Sequence, residues 1–252
     1  MVDRSDNRRA SQGIHRKVLK GCFPGECTQQ GFALGSQERT VVYYTCPISV
    51  SPFARLKETS PAMAEEKVKD EAMQIIGMFQ ILPRLVVFDL DYTLWPFYCE
   101  CRSKREMPSL YPQAKGILSG LKEKGIEMAV ASRSPTSDIA NTFLDKLNIK
   151  PLFLAKEIYS SWTHKTEHFQ KIHTRTGVPF TEMLFFDDED RNIKSVSKMG
   201  VTSILVGNGV TLGAFRQGLT EFTQNHNSME KNKQVWRDKY SGKPASSETD
   251  KD

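Results

Sequence analysis

The stretch LVVFDLDYT, residues 85–93, sets a fully apolar run directly before two aspartates, Asp89 and Asp91. Four apolar residues in a row favour a short strand that is covered on both faces. Similar runs recur along the chain at 128–131, 152–154 and 183–186, and the mostly apolar segment 201–206 predicts a fifth strand. The strands that these runs predict are too short and too apolar for a sheet with one face in water.

Helical patterns alternate with the apolar runs, at 112–124, 134–147, 163–176, 190–199 and 211–223. Short buried strands that alternate with helices are typical of a parallel sheet with helices on both faces. We therefore predict the α/β class, as a three-layer, Rossmann-like, doubly wound parallel sheet of about five strands.

Composition excludes several other classes of protein. The 252 residues are 38% hydrophobic and carry a net charge of +5, which is typical of a globular chain and too weak to indicate nucleic-acid binding. No apolar run approaches the roughly 20 residues that cross a bilayer. Five cysteines, an odd and low number, argue against a disulfide-stapled secreted protein.

The ends of the chain differ from its centre. Residues 1–62 are rich in Arg, Ser, Gly and Pro without a sustained period, which predicts a disordered or weakly structured extension. Residues 63–81 have the spacing of an amphipathic helix that packs on the core, and 82–224 hold the alternating pattern. Residues 225–252 are polar with nearly balanced charge, which predicts a disordered tail.

Charged and hydroxyl side chains follow four consecutive strands of the predicted sheet. The carboxyl ends of parallel strands share one edge, where ligands of such sheets bind. The residues at this edge are Asp89, Asp91, Ser132, Arg133, Lys165, Asp187 and Asp188. Clustered carboxylates suit Mg²⁺, whereas Lys, Arg, Ser and a helix N-terminus bind anions. The combination is what phosphoryl transfer needs, because that chemistry depends on positioning and charge neutralisation.

These residues resemble the motifs of a known superfamily. Asp89-Leu90-Asp91-Tyr92-Thr93 resembles the first motif (DxDxT) of the haloacid dehalogenase superfamily of phosphatases, and Ser132, Lys165 and Asp187-Asp188 resemble its later motifs in order. The longer strings DLDYTLWP at 89–96, ASR at 131–133 and FFDDE at 185–189 are similar to the eukaryotic magnesium-dependent phosphatase family.

The resemblance implies a role for each position. Asp89 would be the nucleophile and a Mg²⁺ ligand, and Asp91 the general acid/base, which gives the metal its backbone carbonyl. Asp188 would be a further metal ligand with Asp187 supporting it. Leu90, Ser132, Arg133 and Lys165 would bind the phosphoryl group or the substrate, and Lys165 would also neutralise Asp89. Asn192 stands where many members have another acid, so its role is left open.

The spacing of the motifs leaves no room for the cap domain that many members insert. Asp91 to Ser132 spans 41 positions and Ser132 to Lys165 spans 33, which the sheet elements mostly use. We expect an open site, shielded at most by a flap over residues 96–110, that takes phosphotyrosine on proteins or sugar phosphates, including phosphorylated glycation products. The alternatives are a response-regulator-like phosphoacceptor and a catalytically quiet phosphate-binding protein.

The expected partners are a phosphorylated small molecule or a phosphoprotein, with neither nucleic acid nor a membrane, and a monomer is favoured. The expected location is the cytoplasm. An organelle is the alternative if residues 1–62 are a transit segment.

Overall fold

The computed structural model describes residues 60–161 and 164–240. Its centre is a five-stranded parallel sheet in the order β3-β2-β1-β4-β5. The strands are β1 (Leu85–Phe88), β2 (Glu127–Ser132), β3 (Phe153–Ile158), β4 (Met183–Asp187) and β5 (Thr202–Leu205). The order reverses between β1 and β4, so a crevice opens at the carboxyl ends of these two strands.

Six helices cover the sheet in the described part of the chain. They are α1 (Pro61–Gly77), α2 (Ala114–Glu123), α3 (Ser137–Lys146), α4 (Thr166–Thr176), α5 (Asp190–Ser197) and α6 (Leu212–Tyr240). Successive residues of β1 point to opposite faces: Val86 and Phe88 join the core beneath α2, α3 and α6, while Leu85 and Val87 join the core beneath α4 and α5. The predicted doubly wound α/β fold is confirmed.

Helix α1 packs closely against α2. A Cβ atom at Gly116 would lie 2.7 Å from the Cβ atom of Val68, and one at Gly120 would lie 3.0 Å from that of Ala72. The two glycines therefore let the helix axes approach. The helix begins earlier than the predicted residue 63, because the Ser60 hydroxyl accepts a hydrogen bond from the Met63 N–H and Pro61 occupies the first turn.

The prediction of a disordered tail from residue 225 is wrong for residues 225–240, which continue helix α6. Neither Gly nor Pro interrupts the chain between Leu219 and Tyr240, so nothing in the sequence ends the helix there. Residues 241–252 lie outside the described residues. So does almost all of the predicted extension 1–62. None of the described helices is both long and apolar enough to cross a membrane.

Candidate active site

Two strand ends and the start of α4 bring charged side chains into the crevice between β1 and β4. Asp89 follows β1, Asp187 ends β4, and Asp188 comes next. Lys165 precedes α4, and its Nζ atom lies 2.5 Å from Asp89 Oδ1 and 2.5 Å from Asp187 Oδ2. We call Asp89, Lys165, Asp187 and Asp188 the sheet-end cluster. The structure thus assembles four of the predicted residues in one place.

Burial sets the electrostatics of this cluster, because Asp89, Lys165 and Asp187 are all buried. Burial opposes a charge on Lys165, but the carboxylates of Asp187 and Asp89 outweigh it and raise the pKa of that amine. Burial also raises the pKa of Asp89; Lys165 acts against this rise and the charge of Asp187 adds to it. One ammonium group therefore serves two buried carboxylates and cannot neutralise a third.

The residues fit a divalent cation. One carboxylate oxygen from each of Asp89, Asp187 and Asp188 lies within 4.8 Å of the others. Burial, followed by the charge of Asp187, raises the pKa of Asp188 to about 6, as expected for an acid crowded by other acids. All the donors are oxygens, which suits Mg²⁺. Asp89 and Asp188 would hold the ion, because both oxygens of Asp187 already accept hydrogen bonds, from Lys165 and from the Glu189 N–H, whereas Lys165 occupies one oxygen of Asp89.

Asp187 is surrounded by donors from its own loop. Its Oδ1 atom accepts the Glu189 N–H at 2.7 Å. The Asn192 amide nitrogen lies 3.2 Å from each carboxylate oxygen of Asp187. Asn192, whose role the sequence left open, is buried and acts as a neutral donor that orients Asp187. An acid at this position would face a carboxylate directly.

The carboxyl group of Asp91 is held by the turn that follows it. The Trp95 indole nitrogen, Nε1, donates to Asp91 Oδ1 at 2.7 Å, and the Cys99 backbone N–H lies 3.2 Å from both oxygens. Burial raises the pKa of Asp91, and these donors act against the rise. A raised pKa is appropriate for a group that must begin as an acid.

The predicted phosphate-binding residues lie at the neighbouring strand ends. Ser132 ends β2, next to β1, and its Oγ atom accepts the Ser134 N–H at 3.4 Å, which leaves the hydroxyl proton for another acceptor. The Leu90 carbonyl accepts backbone N–H groups from the turn at 93–95, which fixes the loop between the two aspartates. Their contact with phosphate stays a prediction.

His168 supports this side of the crevice from beneath. Its Nε2 atom lies 3.0 Å from the carbonyl oxygens of both Ser132 and Tyr159, and its ring stacks on Tyr159 at a centroid distance of 4.1 Å. Burial lowers the pKa of His168 to about 4. The ring is therefore neutral near pH 7 and donates from Nε2.

Arg133 lies at the rim of the crevice in a network that crosses from β2 to β4. Its Nε atom donates to the Ser161 carbonyl at 3.3 Å, and one terminal nitrogen lies 3.4 Å from Glu189 Oε2. Arg191 contacts both oxygens of the same carboxylate, at 2.8 and 2.6 Å. The guanidinium of Arg133 is therefore anchored and still partly exposed.

Several residues that shape the site were not singled out as functional in the sequence. They are Trp95, Cys99, His168 and Glu189. Trp95 and Glu189 stand inside the strings that carry the family resemblance, and that was the signal available for them. Cys99 contributes a backbone N–H, and His168 contacts two backbone carbonyls. Every residue type has a backbone N–H or carbonyl group, so a contact that uses one cannot be recognised from the type of that residue.

This fold with acids at the β1–β4 crevice defines a class, the phosphatases of the haloacid dehalogenase type. A family model described as "Acid Phosphatase" matches residues 81–225, more than half of the chain. The chain belongs to this family. The predicted family resemblance and the predicted phosphatase class are therefore confirmed.

Two relatives agree with this assignment. The chain is 40% identical over 158 residues to human Magnesium-dependent phosphatase 1, covering 57% of this chain and 89% of that protein. A HAD-like hydrolase superfamily protein of Schizosaccharomyces pombe is 33% identical over 144 residues, covering 48% and 83%. A crystal structure of a HAD-superfamily hydrolase from Ehrlichia chaffeensis has a TM-score of 0.46 at 14% identity, covering 57% of this chain and 99% of that chain.

Proposed function

We propose that this protein is a Mg²⁺-dependent phosphomonoester hydrolase that acts through an aspartyl-phosphate at Asp89. The observation that carries the proposal is the sheet-end cluster, in which Lys165 bridges Asp89 and Asp187 while Asp188 completes a group of three carboxylates. The name of the human relative supports magnesium as the cofactor. Mg²⁺, when bound, would neutralise carboxylate and phosphoryl charge.

The contacts assign a task to each side chain in the first step. Asp89 Oδ1 is paired with Lys165, so Oδ2 is the oxygen that attacks phosphorus. As the new O–P bond forms, the bond to the ester oxygen breaks, and Asp91 gives its proton to that oxygen. Lys165 and Ser132 stabilise the charge on the transferring phosphoryl group.

The second step releases phosphate and restores the enzyme. Asp91, now a carboxylate, removes a proton from a water molecule that attacks phosphorus. The bond from phosphorus to Asp89 breaks, and inorganic phosphate leaves. Both protons pass through one residue, so the same geometry serves both halves of the reaction.

The loops around the crevice support an open site without a cap domain. Residues 89–113, between β1 and α2, contain a single 3-10 turn (Cys99–Cys101) as regular structure. Tyr92 and Tyr98 meet edge to face there, with a centroid distance of 4.7 Å, and half of the Tyr98 surface is exposed. Burial and the charge of Asp188 raise the pKa of Tyr98, so this ring belongs to the mouth of the site.

These features support phosphotyrosine on proteins and sugar phosphates, including phosphorylated glycation products, as substrates. The tyrosine pair offers an aromatic edge to a substrate ring, and Arg133 offers a partly exposed cation at the rim. A phosphorylated small molecule or a phosphoprotein is thus the proposed partner. A monomer in the cytoplasm stays a prediction.

The test is a screen of phosphotyrosine peptides and sugar phosphates, each with Mg²⁺ and with EDTA. We expect turnover with Mg²⁺ that EDTA abolishes. The variant Asp89→Asn should lose activity by at least about a thousandfold and keep the wild-type circular dichroism spectrum. Near-wild-type turnover by that variant would reject the nucleophile. A phosphoenzyme that persists for minutes in the native protein would instead support a phosphoacceptor.

A further inference from the structure

We propose that Trp95 is a positioning residue for Asp91, and that its indole N–H fixes the orientation in which the Asp91 carboxyl group meets the leaving group. The inference rests on the proposed function, in which Asp91 is the general acid. It deepens that function by naming the side chain that orients the acid.

The donors around Asp91 distinguish its two oxygens. Oδ1 receives the Trp95 indole N–H at 2.7 Å, whereas Oδ2 shares the Cys99 backbone N–H, at 3.2 Å, with Oδ1. The short bond from the indole therefore fixes the rotation of the carboxyl group and leaves Oδ2 as the less tightly held oxygen.

Trp95 is itself held in one orientation. Its side chain has no exposed surface. The indole stacks on Phe97 at a centroid distance of 5.6 Å and meets the edge of Phe143, in α3, at 6.1 Å. Its backbone N–H donates to the Leu90 carbonyl at 3.2 Å. The packing of the indole thus fixes the turn that contains Asp91 against the core.

A purely structural interpretation also exists, since a buried indole N–H needs an acceptor. That interpretation predicts a loss of stability without any change in which substrates are cleaved. If Trp95 positions the acid, its loss should slow the cleavage of esters with poor leaving groups more than that of esters with good ones. A poor leaving group needs a proton in the transition state, and a good leaving group does not. The two interpretations therefore differ in a ratio of rates.

The experiment compares kcat for β-glycerophosphate, which has an alkoxide leaving group, with kcat for p-nitrophenyl phosphate. For Trp95→Phe we expect about a tenfold loss with the first substrate and less than about a threefold loss with the second. Asp91→Asn should show the same bias more strongly, by on the order of a hundredfold. The matched control is Phe143→Leu, which disturbs the same aromatic packing without removing the N–H and should leave the ratio at the wild-type value.

A second measurement reads the hydrogen bond itself. The chain has three tryptophans, so the indole N–H signal that disappears in Trp95→Phe identifies the Trp95 resonance in a ¹⁵N–¹H spectrum. This signal should lie downfield in the wild type and shift in Asp91→Asn, because the acceptor changes from a carboxyl group to an amide.

The outcomes separate this inference from the proposed function. Equal losses on both substrates in Trp95→Phe, or an indole signal that Asp91→Asn does not move, would overturn the role of Trp95 in an otherwise active phosphatase. A wild-type protein that cleaves neither substrate with Mg²⁺ would overturn the proposed function, and the positioning role with it.

Discussion

The sheet-end cluster and the turn at residues 91–99 hold two aspartates, Asp89 and Asp91, by opposite means. Asp89 lies among charges, with the Lys165 ammonium at 2.5 Å and the carboxylates of Asp187 and Asp188 close by. Asp91 is held by neutral donors, an indole N–H and a backbone N–H. The two residues are neighbours in sequence, yet their surroundings have almost nothing in common.

The difference teaches how one short motif supplies two chemical roles. At Asp89 the Lys165 ammonium acts against the rise in pKa that burial causes, which favours the ionised form and its lone pair for attack. At Asp91 burial raises the pKa and neutral N–H donors act against the rise, so this carboxyl group can hold a proton. The sheet fixes the first environment and the turn fixes the second, so the two roles can be tested separately.

The largest effect should come from Lys165→Met, which removes the cation from the sheet-end cluster and leaves the carboxylates of Asp89 and Asp187 buried without a compensating charge. We expect the free energy of unfolding in urea to fall by about 3–5 kcal/mol. The control is Lys171→Met, which removes an exposed lysine from the same helix, α4. Equal stability of the two variants would show that charge pairing does not hold the cluster together.

A smaller effect, about 3 kcal/mol, should come from the pH dependence of His168. Burial lowers its pKa from 6.5 to about 4, so between these values the unfolded chain binds a proton that the folded chain does not. This contribution is present above pH 6.5 and is lost as the pH falls toward 4. We expect the free energies of unfolding of the wild type and His168→Phe to converge over that range. Parallel curves would contradict the buried neutral ring beneath Ser132.

Asn192→Ala should cost less, about 1–3 kcal/mol of stability, because Asp187 loses one donor and keeps Lys165. The half-saturating Mg²⁺ concentration should rise severalfold, since Asp187 helps to shape the metal site. Asn141→Ala is the control, because that amide bonds within α3 and lies outside the cluster. A Mg²⁺ titration of activity that does not distinguish the two variants would remove Asn192 from the site.

The smallest effect should come from Glu189→Gln, which weakens the anchor of Arg133 at the exposed rim. Partly exposed ion pairs contribute little, so we expect KM to rise by about threefold or less while kcat stays within about twofold. Glu182→Gln removes a comparable exposed pair with Arg84 and should leave both constants unchanged. A large fall in kcat for Glu189→Gln would place Glu189 with the sheet-end cluster.

Much of the site could be predicted because it follows from local pattern and chain order. Apolar runs predict strands, and parallel strands deliver whatever follows them to one edge of the sheet. It can therefore be predicted without knowing any distance that Asp89, Asp187 and Asp188 lie close together. The end of α6 was predicted too early, because the polar composition after residue 224 is typical of a disordered tail. The segment nevertheless contains no residue that ends a helix.

The sequence by itself determined the α/β class, the polar residues that follow each strand, and the family to which the chain belongs. Only the tertiary structure decided which carboxylates share Lys165, that Asn192 orients Asp187, and that Asp91 faces Trp95 and Cys99. The physical reason is that side-chain direction depends on packing between segments. An ion pair or hydrogen bond forms when loops from separate strands are fixed against one core, and no local pattern records that arrangement.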